Sequence, residues 1–251
     1  MKKQISRLNQ LTFFSLFLMF ILSLSSCNKT ETYPTAALED YHPLQQGKYI
    51  VYQLDSLKYL SFGTRDTTVT YQVKYLTDTI ITDNLGRKAW RIFRFIRKNE
   101  TEAWATDATF MAVPGNNQME FIENNLRYIK LHLPIENNFS WKGNSYIDTY
   151  SAFSDIKYLD NWDYMYSGIG STENFGGQTF SDVLTVNQRD EVIGDPNDPS
   201  SYSEINYGQE KYAKNIGLVY RKFFHKEYQP GNGGYAADGS YGVTLTIIDH
   251  N

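Results

Sequence analysis

Thr68-Val69-Thr70-Tyr71-Gln72-Val73-Lys74-Tyr75 decides the fold. Val69, Tyr71, Val73 and Tyr75 fall at every second position, with Thr68, Thr70, Gln72 and Lys74 between them. In a strand, alternate side chains point to opposite faces, so this spacing makes one face apolar and the other polar. The pattern recurs where Ile129, Leu131 and Leu133 alternate with Tyr128, Lys130 and His132, which predicts an outward-facing His132. Near the C-terminus, Tyr241, Val243, Leu245 and Ile247 alternate with Gly242, Thr244 and Thr246. Further strands are predicted at Tyr49–Leu54, Ala89–Ile96, Thr109–Val113, Met119–Ile122, Phe180–Asn187 and Lys211–Phe224.

Turn chemistry separates these runs. Asp83-Asn84-Leu85-Gly86, Pro114-Gly115-Asn116-Asn117, Glu123-Asn124-Asn125 and Gly231-Asn232-Gly233-Gly234 are rich in residues that tolerate tight backbone reversals. Strands joined by short polar turns pair antiparallel, because parallel neighbours need long crossovers. Twenty Tyr, 15 Phe and 4 Trp suit pleated, half-buried surfaces better than helices. No sustained helical stripe is found. Ala152, Ile156 and Leu159 mark one short helix at most. The expectation is a mainly β, single antiparallel domain over residues 44–251, forming a large curved sheet or half-barrel with at most one or two short helices.

The chain has 251 residues, 41% hydrophobic and 21% charged, enough to bury a substantial core. It holds one cysteine, which excludes a disulfide scaffold and any zinc site built on several thiolates. The first 26 residues carry three basic side chains and no acidic one, leaving 21 Lys+Arg against 28 Asp+Glu, a net charge of −7. Such acidity makes nucleic acid an unsuitable partner.

The N-terminus carries the strongest motif. Lys2, Lys3 and Arg7 precede an apolar stretch from Leu11 to Leu24. Its fourteen residues are too few for a transmembrane helix, which needs about 20, but suit a secretory leader. Leu24-Ser25-Ser26-Cys27 follows at once and resembles the lipobox of bacterial lipoproteins. That resemblance implies a signal peptide over 1–26, a diacylglyceryl thioether on Cys27 and a further palmitate-type acyl group on its new amine. The alternative is an ordinary signal peptide with a chance cysteine. Two or three acyl chains would hold the protein to a membrane, since each buried methylene contributes roughly 0.8 kcal/mol. Asn28 is not the Asp that marks inner-membrane retention in Gram-negative lipoproteins, and by that analogy the outer membrane is expected. Residues 27–43, polar and with two prolines, are expected to form a flexible tether.

A second resemblance rests on three segments. They are Tyr41-His42-Pro43-Leu44-Gln45-Gln46-Gly47-Lys48-Tyr49-Ile50-Val51-Tyr52, Glu123-Asn124-Asn125-Leu126-Arg127-Tyr128-Ile129-Lys130-Leu131 and Tyr212-Ala213-Lys214-Asn215-Ile216-Gly217-Leu218-Val219-Tyr220-Arg221. Together they resemble a group of uncharacterised outer-membrane lipoproteins of Bacteroidota. The Ile-Gly-Leu-Val segment is also similar to a strand of periplasmic half-barrel proteins that handle lipids. Asp55-Ser56-Leu57, Asp66-Thr67-Thr68 and Asp78-Thr79-Ile80 resemble the short O-glycosylation acceptor pattern of the same phylum.

Familiar catalytic signatures are not found. His42, His132, His225 and His250 show neither i,i+4 nor His-x-His spacing, and each is expected to be a solvated surface histidine. There is no Gly-x-Ser-x-Gly. Gly168-Ile169-Gly170 lacks the third glycine of a nucleotide loop and is expected to form a hairpin turn. Asp195, Asn197 and Asp198 match no calcium-loop spacing, and Pro196 and Pro199 suit a plain exposed loop. No catalytic residue, metal or cofactor is nominated. Of Trp90, Trp104, Trp141 and Trp162, Trp141 in Phe139-Ser140-Trp141-Lys142-Gly143-Asn144 is the most turn-like and is expected to be partly exposed. Trp141 and Trp162 are the nominated ligand contacts. The expected function is a membrane-anchored, non-catalytic binding or envelope-assembly protein. Its ligand would be apolar or a glycan, and its protein partner is not indicated. A glycan module or a polysaccharide-active hydrolase is the alternative.

Overall fold

The computed structural model describes residues 37–152, 154–236 and 239–251. The expected signal peptide, the lipobox-like run, Cys27 and the first part of the expected tether lie outside them. Where the tether was expected to run to residue 43, the described chain already packs from Leu38. Helix α1 (Leu38–Tyr41) buries Leu38 and Tyr41 in the main core cluster. The two apolar side chains sit three positions apart, one turn of helix, and so reach the core together.

Among the described residues thirteen strands follow. They are β1 (Tyr49–Leu60), β2 (Arg65–Thr82), β3 (Lys88–Arg97), β4 (Ala105–Pro114), β5 (Gln118–Glu123), β6 (Leu126–His132), β7 (Ser140–Lys142), β8 (Asp163–Phe175), β9 (Gln178–Gly194), β10 (Ser203–Ala213), β11 (Gly217–Gln229), β12 (Gly234–Tyr235) and β13 (Tyr241–His250). All belong to one antiparallel sheet, in the order β6-β5-β4-β3-β2-β1-β13-β11-β10-β9-β8-β7, with β12 paired to β11. The expected fold class is the observed one.

Connectivity explains the curvature. Laid flat, twelve strands would set the two edges roughly 50 Å apart at the usual strand spacing. Yet β6 and β7, the two edges, are joined by residues 133–139 alone. That link spans roughly 30 Å at full stretch. The sheet must therefore curl until its edges approach, and it forms a nearly closed barrel.

Side chains complete the closure. The Ile129 N–H donates to the Gly143 carbonyl at 2.8 Å, and the Trp141 indole N–H donates to the Ile129 carbonyl at 2.8 Å. The Tyr166 hydroxyl accepts from the His132 N–H at 2.8 Å and donates to the His132 carbonyl at 2.9 Å. Edge groups of β6 that a further strand would have satisfied are thus occupied, which is how an exposed edge is made safe.

Several local expectations are corrected. Lys211–Phe224 is not one strand: Lys214, Asn215 and Ile216 turn the chain between β10 and β11, with Asn215 at φ 64°. Asparagine tolerates that left-handed backbone, and the apolar residues on either side masked the turn. Gly168-Ile169-Gly170 is not a hairpin turn but a bulge inside β8, where the register with β9 breaks between Ser167 and Ser171. Gly168 and Gly170 have φ of 60° and 82°, which glycine adopts without steric penalty. The short helix foreseen around Ala152–Leu159 is a single 3-10 turn over Lys157–Leu159.

Candidate functional site

The register sets the barrel's lining. Tyr52 faces Val73, Arg94 faces Tyr75, and Glu210 faces Arg221, each pair sharing one side of the sheet. Across the interior, β5 delivers Glu123, β6 delivers Lys130, β10 delivers Glu210 and β11 delivers Arg221. Lys130 Nζ lies 2.7 Å from Glu210 Oε1 and 3.7 Å from Glu123 Oε1. Arg221 Nη1 lies 2.9 Å from Glu123, and its Nε lies 3.6 Å from Glu210 Oε1. The Tyr212 hydroxyl donates to Glu210 Oε2 at 2.7 Å. Two carboxylates and two cations are balanced in a desolvated layer.

Electrostatics favour the charged forms of Glu123, Glu210 and Arg221. Burial alone would raise the Glu123 carboxyl, but the Arg221 and Lys130 cations beside it outweigh that and bring it down to about 2. Glu210 is likewise lowered against its burial by Lys130 and then Arg221. Arg221 is raised despite its own burial because Glu123 and Glu210 flank it.

Glu123, Lys130 and Arg221 line two cavities, so the ionic layer divides the interior. On one side lies a cavity of about 70 Å³ under His42, Tyr52, Tyr75, Phe121 and Tyr212. It has room for roughly a few waters. On the other lies a chamber of about 470 Å³ walled by Tyr128, Tyr158, Trp162, Tyr164, Phe223 and Tyr241. That volume falls within the range of small-molecule pockets, roughly 300–1,000 Å³. The chamber is the candidate site.

Its walls are built from local sequence. The 3-10 turn places Tyr158 and Leu159 so that the Trp162 indole N–H donates to the Tyr158 carbonyl at 2.6 Å. Trp162 also lies against Phe223 with ring centres 5.9 Å apart. Gly208 permits this approach: a β-carbon there would meet Trp162 at 2.9 Å and Gln188 Oε1 at 2.8 Å. Tyr158 stacks on His225 at 3.8 Å and bonds the Tyr241 hydroxyl at 3.0 Å.

Three buried polar atoms of the lining make no hydrogen bond among the described residues: Gln188 Nε2, Arg221 Nε and Glu123 Oε1. Gln188 is 3% exposed and Glu123 is 7% exposed. Glu123 Oε1 lies 2.9 Å from Arg221 Nη1 and Arg221 Nε lies 3.6 Å from Glu210 Oε1, so the ionic layer accounts for two of the three.

The nominated tryptophans separate. Trp162 is a chamber wall, whereas Trp141 is in the closing seam and lines no part of the chamber. Trp141 is buried, not partly exposed, because its indole substitutes for a strand partner of Ile129. The histidine expectation also changes. His225 is buried, with Nδ1 2.7 Å from Asn206 Oδ1, and burial lowers its pKa. His132 is half-buried and stacked on Phe139 rather than free on an outer face. The same strand turns Lys130 inward, where the alternation suggested solvent. The Asp195 and Asp198 carboxylates accept from Asn197 and Ser200 backbone N–H groups at 2.9 Å, as turn-forming side chains.

Sequence reasoning missed Glu123, Gln188, Lys130, Glu210 and Arg221. Gln188 and Glu210 lie between polar neighbours, and Lys130 falls on the polar half of an alternating run, so the local pattern offered no signal of their burial.

No protein-family model matches this chain, and no curated protein matches it. Among solved structures it is similar to a candidate exported protein with a YmcC-like fold from Bacteroides fragilis. The TM-score is 0.39 at 10% identity, over 83% of this chain and 97% of that one. It is also similar to a candidate lipoprotein from Parabacteroides distasonis, with TM-score 0.32 at 12% identity over the same shares. A DUF1329 family protein from Desulfovibrio piger gives 0.19 at 10% identity, over 84% of this chain and 88% of that one. Likenesses at this level assign no activity.

Proposed function

We propose that this protein is a lipid-anchored, non-catalytic binding protein of the outer membrane that holds a small ligand in the aromatic chamber of its barrel. The observation that carries the binding reading is the chamber itself: about 470 Å³, with aromatic walls above a charge-balanced ionic layer. The anchor rests on Leu24-Ser25-Ser26-Cys27, where the chain's one cysteine follows an apolar leader. Among the described residues no helix is long and apolar enough to cross a membrane. Attachment would instead run through the acyl groups on Cys27.

Two measurements test the reading. Palmitate labelling in the native host should mark the wild-type chain and not Cys27→Ser, and the variant should leave the membrane fraction. Native mass spectrometry of the chain extracted from its own envelope should show an added mass that Tyr241→Ala loses. Unlabelled wild-type protein would remove the anchor, and a bare mass would remove a tightly held ligand.

A further inference from the structure

We propose that a second site, for a primary ammonium group, lies in the outer cavity beside the chamber. It goes beyond the binding reading above and does not depend on what the chamber holds.

That cavity, of about 620 Å³, is walled by Tyr158, Tyr202, Glu204, His225 and Glu227. Tyr158 lines the chamber as well. Strand register sets the charge: Glu204 of β10 faces Glu227 of β11 directly. Like charges set opposite each other across a sheet repel. Among the described residues no lysine or arginine pairs with either carboxylate, and the nearest nitrogen of a basic ring is His225 Nδ1, 3.9 Å from Glu204 Oε1. Glu204 is held by neutral donors instead, the Tyr202 hydroxyl at 2.7 Å and the Asn206 amide at 2.6 Å. Glu227 accepts from the Gln229 amide, which is neutral too. With the exposed Asp155, the cavity carries three carboxylates against one cation, Lys157.

His225 is an independent sign of a ligand. It is 4% exposed, with Nδ1 2.7 Å from Asn206 Oδ1. The Asn206 amide nitrogen must face Glu191 and Glu204, both acceptors, so its oxygen is turned to the imidazole and Nδ1 carries the proton. Nε2 is then the lone pair of a neutral ring, the form that burial favours. No hydrogen bond among the described residues occupies Nε2, and it is not one of the sealed polar atoms, so it opens on the cavity. Stacking on Tyr158, with ring centres 3.8 Å apart, fixes the imidazole in that orientation.

Two facing carboxylates and one lone pair therefore converge without a donor. An –NH3+ group has three donors and one positive charge, so it can bond all three and shield the carboxylates from each other. Among the described residues no group of His, Cys, Asp and Glu is arranged to hold a metal ion, which favours a molecular cation. The ammonium would belong to a small amine or end a lysine side chain.

The full chain in dodecyl maltoside is titrated with cadaverine, N-acetyl-lysine amide, choline, pentanediol and calcium, read by calorimetry and thermal unfolding. Salt is kept at about 0.15 M, where diffuse attraction is screened beyond about 8 Å. Cadaverine or the lysine amide should bind saturably and raise the unfolding temperature, and whichever binds tighter names the source. Pentanediol should not bind, and choline, with the charge but no N–H donor, should bind more weakly. Glu204→Gln and Glu227→Gln should each weaken amine binding about tenfold or more, the loss of one charge-assisted hydrogen bond. Without ligand, Glu227→Gln should unfold at a higher temperature than wild type, because the facing charges are gone.

No amine binding overturns the proposal. Amine binding that neither variant weakens places the amine elsewhere on the protein, and choline binding as tightly as cadaverine removes the fit to N–H donors. Calcium binding that both variants weaken, without any amine binding, makes the cavity a metal site instead. An unliganded Glu227→Gln no more stable than wild type would mean that the facing pair is already neutralised, and removes the need for a cation. None of these results touches the chamber, whose reading stands or falls on the mass adduct from the native envelope.

Discussion

The indole nitrogen of Trp141 lies 2.8 Å from the carbonyl oxygen of Ile129, and this contact joins the two ends of the sheet. A side chain does here what a neighbouring strand does elsewhere. The barrel therefore closes without a continuous ladder between β6 and β7.

Trp141→Phe keeps a ring in place and removes the donor, leaving the Ile129 carbonyl unpaired in a buried seam. Losing one partner of a buried hydrogen bond costs about 1–3 kcal/mol. Urea denaturation should show a lower midpoint at an unchanged slope. A midpoint equal to wild type would mean that the seam carries no stability.

Tyr166→Phe removes both hydrogen bonds to His132 at once. Amide exchange at His132 should accelerate well beyond the global change in stability, while the Ile129 amide, held by Gly143, should keep its protection. Equal acceleration at both amides would contradict local opening.

Lys130→Met leaves Glu210 and Glu123 facing each other with Arg221 as their remaining buried cation. Breaking a buried pair by removing one member costs about 3–5 kcal/mol. Adding Glu210→Met should restore much of the loss, since charge balance with Glu123 and Arg221 returns. A thermal-unfolding double-mutant cycle measures the coupling, and strictly additive losses would refute it.

Acid should destabilise the protein in two stages. His42 is held down to about 4 from an ordinary 6.5, by burial first, with Lys130 adding to it and Glu210 opposing. The unfolded chain binds that proton first, so stability is full above about pH 6.5 and falls towards pH 4. His225, also lowered, acts in the same direction. Glu123, down to about 2 from 4.5, contributes stability above pH 4.5 that is lost as pH falls towards 2. Denaturation curves across this range should flatten in the upper stage for His42→Phe and in the lower stage for Glu123→Gln.

Much of the strand pattern was legible. Val69, Tyr71, Val73 and Tyr75 do share one side of β2, and Asn124 and Asn125, with φ of 51° and 63°, do turn β5 into β6. The site was not legible for a related reason. Lys130 and Glu210 lie 80 positions apart, and nothing near either residue signals the other. An alternating strand states which residues share a face, but not whether the polar face meets water.

What the sequence by itself determined is the class of the fold and the place of several of its turns, because alternation and turn residues act over a few positions. It also supplied Leu24-Ser25-Ser26-Cys27, the run that resembles a lipobox. Tertiary structure alone decided that the sheet curls until Trp141 meets Ile129, that Lys130 turns inward, and that a chamber opens between Trp162 and Tyr241. Those outcomes depend on how far apart strands remote in sequence come to lie. Only after the edges have met does the ionic layer have an inside to occupy.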